Sequence, residues 1–183
     1  LTETLAAGEL LARKLLSLGH RRVVLLSEAP DKPPALADAA WSARRDGLLA
    51  GLRANDARVA ERSLVNRNPK LDAPQALKDL LRRPPSDRPT AVYMPLDASA
   101  EIYAVAAELK LKIPRDLTLV ACGDANLDPK RTGVRFDARR LGAVAIHLPL
   151  DRVRDPKWKT RRAMTRRLPG HYAAGRTHAR AAR

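Results

Sequence analysis

The sequence predicts an α/β fold, a parallel sheet flanked by helices, from three observations. Leu11, Leu15 and Leu18 fall on one helical face, and Gly19 follows them, a residue free to take the left-handed conformation that closes a helix. Val23 to Leu26 is then continuously apolar, as expected of a strand covered on both faces. Helix-like and strand-like segments go on alternating through the first two thirds of the chain, the order that parallel pairing with crossover helices demands.

Taken in order, the periodicity predicts a helix over Thr4 to Leu18 and a strand over Arg22 to Ser27. A Pro-rich turn (Pro30, Pro33, Pro34) opens a helix over Ala35 to Ala54, with Trp41, Leu48 and Leu52 on one face. A weaker strand, Arg58 to Val65, follows the Asn55-Asp56 turn. The polar stretch Asn66 to Asp72 leads to a helix over Pro74 to Arg83, closed by Pro84-Pro85. Next come a strand over Thr90 to Met94 and a helix over Asp97 to Leu109, with Asp97 as N-cap and Ile102, Val105, Ala106 and Leu109 as its buried stripe. Leu117 to Cys122 is the fourth apolar strand, and Val134 to Phe136 a short fifth. The helix Ala138 to Leu148 is expected to stop at Pro149, with a charged loop over Asp151 to Lys159 and an edge strand over Arg161 to Leu168. Pro169 to Arg183 has no periodicity and reads as a mobile basic tail.

Composition bounds the function. A chain of 183 residues can bury one sizeable core. No apolar run approaches the roughly 18 residues of a membrane span, and Glu3 and Glu9 stand where an export signal would be basic and apolar. Cys122 is the single cysteine, which excludes a disulfide framework and fits a reducing cytosol; at the end of an apolar strand it reads as a small buried residue before a nucleophile. The net charge of +15 is densest beyond Asp151, in Arg152, Arg154, Lys157, Lys159, Arg161, Arg162, Arg166 and Arg167. Two readings remain for it: a solvated basic surface, or a phosphate-binding face lacking aromatics for base stacking. No phosphate-binding glycine loop, nucleophile elbow or zinc-protease motif is present, and His20, His147, His171 and His178 are scattered over different elements. Neither a catalytic constellation, a metal site nor a cofactor is expected.

A series of short signatures, in order, resembles the effector-binding core of LacI/GalR-type transcriptional regulators. Ala12 to Leu26 is similar to that family's A..L...GHRRI segment, and Arg44-Arg45-Asp46-Gly47-Leu48 to its R..GF helix. Pro89-Thr90-Ala91-Val92 followed by Asp97 is similar to PTAI…ND. Ile113 to Val120 resembles IP.DLSLV, and Thr132-Gly133-Val134 with Asp137, Leu141 and Gly142 resembles LT.V..D...LG. The resemblance implies a periplasmic-binding-protein-like (type I) lobe. Residues 1–133 would be the second lobe, 134–168 the closing strand-helix-strand segments that cross to the first lobe and back, and 169–183 the tail. Leu1, opening directly on a helix, corresponds to the entry into that second lobe.

By the same resemblance the chain would sense a small effector, a sugar among the candidates, in an interlobe cleft. It would form a homodimer in the cytoplasm and reach DNA only through a helix-turn-helix domain outside this sequence. Arg44 falls at the arginine that grips hydroxyls. Asp97 falls at the aspartate of the ND pair, as ligand contact or plain N-cap, while Leu96 replaces the asparagine. The family's aspartate after the fourth strand is Gly123 here, so Asp124 either substitutes for it or the acid is gone. Asn66 and Asn68 are candidates from the segment between the second and third strands. Ser99, Ile102 and Tyr103, with the loop 125–131, would form the dimer interface. The alternative is a free-standing basic α/β protein that binds nucleic acid through its Arg-rich C-terminal third. A periplasmic sugar-binding protein and an enzyme rank below both.

Overall fold

The computed structural model describes residues 3–27, 36–63, 73–94, 99–124, 130–155, 157, 160 and 165–181. They form one six-stranded sheet with helices on both faces. The chain runs α1 (Thr4–Ser17), β1 (Arg22–Ser27), α2 (Leu36–Arg53), β2 (Arg58–Ser63), α3 (Ala73–Leu81), β3 (Ala91–Tyr93), α4 (Ser99–Glu108), β4 (Thr118–Asp124), β5 (Thr132–Phe136), α5 (Ala138–Arg154) and β6 (His171–Ala173). Spatial order in the sheet is β2-β1-β3-β4-β5-β6, with β1 to β5 parallel and β6 antiparallel to β5.

The expected fold class is the observed one, and its cause is visible in the side chains. Val23 and Leu25 of β1, Tyr93 of β3 and Val120 and Cys122 of β4 face α1 and α2. The alternate residues Val24, Leu26, Val92, Leu119 and Ala121 face α3 and α4, against Leu77, Leu80, Leu81, Ile102 and Val105. A period of two on a sheet covered on both sides needs apolar residues at every position, which is what β1 and β4 supply. Gly19 closes α1 at φ +88°, with its amide donating to Leu16 and that of His20 to Leu15, the two bonds of a Schellman cap.

Two differences from the sequence reading concern the end of the chain. α5 runs through Pro149 to Arg154 instead of stopping at Leu148, and so absorbs the first part of the expected charged loop. The carbonyl that Pro149 cannot serve belongs to Ala145, on an exposed stretch where water can take its place. None of the residues of α5 is buried, and Ile146, Leu150 and Val153, at spacings of four and three, lie exposed on one side of it.

The second difference concerns the edge strand and the tail. Of the strand expected over Arg161 to Leu168, residues 161–164 lie outside the described ones and 165–167 are not strand; the edge strand is β6. The stretch expected as a basic tail makes definite contacts. Beyond β6 the chain crosses the N-terminal edge of the sheet, with Thr177 buried and the Ala181 amide on the Leu18 carbonyl at 2.9 Å. Polar side chains hold it, so no apolar period announces it.

Candidate effector-binding site

Parallel strands deliver their C-terminal ends to one edge of the sheet, and the strand order reverses between β1 and β3, the place where open α/β sheets leave a crevice. β3 ends on Tyr93, β4 on Asp124 and β5 on Phe136. α2 lies over these ends from one side and places two residues, Trp41 and Arg44, one turn apart on the same face.

Arg44 reaches the ends of β4 and β5. Its Nη1 donates to the carbonyl oxygen of Cys122 at 3.3 Å, and its guanidinium carbon stands 5.0 Å from the centre of the Phe136 ring, a cation–π arrangement. Cys122 pairs with Val134 and Asp124 with Phe136, so Arg44 spans the last three residue pairs of the β4–β5 ladder. Arg44 and the end of β4 that carries Asp124 are therefore brought together. Asp97, Asn66 and Asn68 lie outside the described residues.

Beside Arg44 stands a feature that residue type alone did not announce. Trp41 stacks on Tyr93 with ring centroids 4.8 Å apart and planes 20° from parallel. The Tyr93 hydroxyl is fully buried without a hydrogen-bond partner, and so is Nε of Arg44. Burial pushes the Tyr93 hydroxyl pKa well above its ordinary value; Cys122 adds to this and the positive charge of Arg44 opposes it. The signal that could have found the pair was the i, i+3 spacing of Trp41 and Arg44, read together with an aromatic closing the adjacent apolar strand. Cys122 itself is buried in the core, and what it offers Arg44 is its carbonyl.

The expected dimer residues separate. Ser99 opens α4, and Tyr103 is 42% exposed on it. Ile102, by contrast, is fully buried against Val92, Leu119 and their neighbours, as the helical stripe predicts; its expected interface role is corrected, since it has no surface to offer a partner. Among the described residues, no group of three or more histidine, cysteine or acidic side chains converges to hold a metal ion. No helix among them is long and apolar enough to cross a membrane.

Comparison with known proteins agrees with this architecture. The family model of the periplasmic binding protein-like domain matches residues 12–177. The ribose operon repressor of Escherichia coli K12 is 25% identical over 165 residues, which is 87% of this chain and 48% of the repressor. A LacI family transcriptional regulator from Enterococcus faecium, solved with bound ribose, superposes with TM-score 0.69 at 24% identity over 98% of this chain and 64% of its own. Another from Bifidobacterium animalis subsp. lactis gives TM-score 0.73 at 19% identity, over 100% of this chain and 64% of its own. The chain thus spans about half the length of the curated repressor it matches. With residues 12–177 matched, the chain belongs to the family of periplasmic-binding-protein-like domains, and the relatives it resembles within that family are LacI-type transcriptional regulators.

Proposed function

We propose that this chain is the ligand-sensing, dimerising module of a LacI-type transcriptional regulator, taking a small effector at the C-terminal edge of β3, β4 and β5. The observation that carries the proposal is the position of Arg44. It is half-buried at the strand ends, its Nη1 makes one long hydrogen bond, and its buried Nε makes none. A guanidinium fork held over an aromatic ring is pre-organised to donate to paired oxygens, and vicinal hydroxyls of a sugar present such a pair. In this reading Asp124 and Asp97 accept from the hydroxyls, and Asn66 adds an amide from the segment after β2. Residues 1–133 act as one lobe of the cleft and α5 as the helix that lies on the other lobe. The exposed stripe Ile146, Leu150 and Val153 supports that role, since an amphipathic helix with no buried residue has a face left to cover. Effector binding would act by shifting the equilibrium between open and closed lobes, to the extent of its differential affinity. DNA would be engaged through a helix-turn-helix domain outside this sequence.

Ribose is the first effector to test, because the E. faecium relative was solved with it. Half a cleft bears the full cost of fixing a ligand with part of the contacts, so affinity in the millimolar range is expected of this chain. Chemical-shift titration with ribose and other pentoses should move the amides around Cys122, Asp124 and Arg44, and Arg44→Ala should abolish the shifts while leaving the rest of the spectrum in place. Shifts that survive Arg44→Ala unchanged would remove this residue from the site.

A further inference from the structure

Residues 175–181 cross the N-terminal edge of the sheet as a strap, at the end of the molecule remote from Arg44. The Leu119 amide donates to the Thr177 carbonyl at 2.7 Å, the Ala179 amide to Thr118 Oγ1 at 3.0 Å and the Ala181 amide to the Leu18 carbonyl at 2.9 Å. Beneath the strap lies His20, which is 1% exposed. Its Nε2 is 2.9 Å from the carbonyl oxygen of Ala179 in the strap, and its Nδ1 is 2.9 Å from Thr90 Oγ1, just ahead of β3.

The proton positions follow from the partners. A carbonyl only accepts, so Nε2 carries hydrogen; in the neutral ring Nδ1 is then a lone pair, and the Thr90 hydroxyl donates to it. The neutral ring thus ties β1, β3 and the strap together with both nitrogens in use. A second proton removes the acceptor at Nδ1, turns the Thr90 hydroxyl from the ring to the Arg22 carbonyl at 3.4 Å and places a full charge where water is excluded. No carboxylate among the described residues bonds to the ring. Arg21 and Arg22, its neighbours in sequence, direct their guanidiniums to the carbonyls of Asn55, Arg88 and Pro85. The ionisable group that bears on His20 is His178 of the strap, whose Nδ1 meets Thr132 Oγ1 and the Gly175 carbonyl and whose ring stands edge-on to Tyr172.

We propose that His20 is a proton-operated latch on the C-terminal strap: neutral, it holds residues 175–181 to the sheet, and protonated, it lets them lift while the core stays folded. Independently of the hydrogen bonds, burial keeps the His20 pKa below its ordinary 6.5; the Ala179 carbonyl partly offsets this and His178 adds to it. The sign is then fixed. With the strap lifted, His20 meets water and regains its ordinary affinity for protons. Above about pH 6.5 both states are neutral and the latch is complete. As the pH falls below that value the lifted state binds the proton first, and the opening constant grows up to about tenfold per pH unit until the latched ring is itself protonated.

Amide hydrogen exchange of the whole chain between pH 8 and pH 5, corrected for intrinsic rates, tests this. Protection at residues 176–181 should fall below about pH 6.5 while amides of β1, β3 and β4 beyond the strap keep theirs. His20→Gln can donate and accept without titrating, and should make strap protection flat with pH; His178→Gln should leave the fall in place. Strap protection that is constant over the range, that falls in step with the core, that falls equally in His20→Gln, or that stops falling in His178→Gln would overturn the latch. Should His20→Gln not fold, carbon-13 titration of the wild-type ring decides: a His20 ring that stays untitrated while the strap opens also overturns it.

Discussion

Gly8 of α1 faces the main-chain carbonyl of Arg44 in α2, so close that a Cβ at residue 8 would be built into that oxygen and stand 2.6 Å from the Leu48 amide nitrogen. Gly47 returns the same contact against the Leu5 carbonyl. The two helices touch backbone to backbone, and this sets how far down Arg44 sits over β4 and β5.

Helix propensity and packing therefore oppose each other at Gly8. Alanine gains about 1 kcal/mol over glycine within a helix, whereas forcing two backbones apart costs typically 1–3 kcal/mol. The clash here is with backbone, which cannot turn aside, so Gly8→Ala is expected to destabilise. Gly142 in α5 has nothing within 4 Å of an added Cβ, and Gly142→Ala should stabilise by about 1 kcal/mol. Urea denaturation of the two variants gives opposite shifts of midpoint on this argument, and shifts of the same sign refute it.

Tyr93→Phe removes a hydroxyl that is buried and bonded to nothing. Stacking on Trp41 is retained, and the desolvation of an unpaired polar group is relieved, so the variant should be more stable by about 1 kcal/mol. A loss of stability of that size would mean that the hydroxyl holds a bound water or ligand atom beneath Arg44.

How much of this was legible beforehand depended on whether burial was apolar or polar. The run Arg22 to Ser27 is found as expected to the residue, because Val23 to Leu26 can satisfy both faces of a parallel strand and little else. Arg44 was legible as a donor at the strand ends from its place in a short motif. The aromatic pair beside it was not, since Tyr93 looks like any other apolar strand residue until Trp41 is laid upon it. Ile102 carries two incompatible readings in the sequence, buried stripe by its helical spacing with Val105 and interface by resemblance, and it lies in the core with Val105. The strap was invisible for a different reason: Thr118, Thr132, Thr177 and His20 hold it by hydrogen bonds, and hydrogen bonding leaves no hydrophobic period in a sequence.

Thr177 is the strap's deepest anchor. Its hydroxyl accepts from the Thr132 amide at 2.9 Å and donates to the Leu119 carbonyl at 2.8 Å, with the residue 4% exposed. Thr177→Val keeps the shape and leaves both backbone groups unpaired, an expected loss of about 2 kcal/mol by thermal or urea denaturation. Thr177→Ser keeps the hydroxyl and should cost under about 1 kcal/mol. Equal losses in the two variants would show that the methyl, rather than the hydroxyl, is what matters.

Salt separates the two readings of a chain that carries +15, because it acts on them with opposite sign. If the basic C-terminal third grips phosphate, affinity for a nucleic acid falls steeply as salt rises, through lost counterion release. If instead the chain pairs with a second copy through the exposed Tyr103 face of α4, like charge opposes the pairing and added salt screens that repulsion, so self-association strengthens. Sedimentation at roughly 0.05 M and 0.5 M salt, either side of the concentration where the Debye length is about 10 Å, is expected to show more dimer at the higher concentration. Tyr103→Glu should abolish it, since the substitution sets a charge on the exposed face of α4 without disturbing the buried Ile102 beside it. A chain that stays monomeric at both concentrations, or a dimer indifferent to Tyr103→Glu, would take α4 out of the interface.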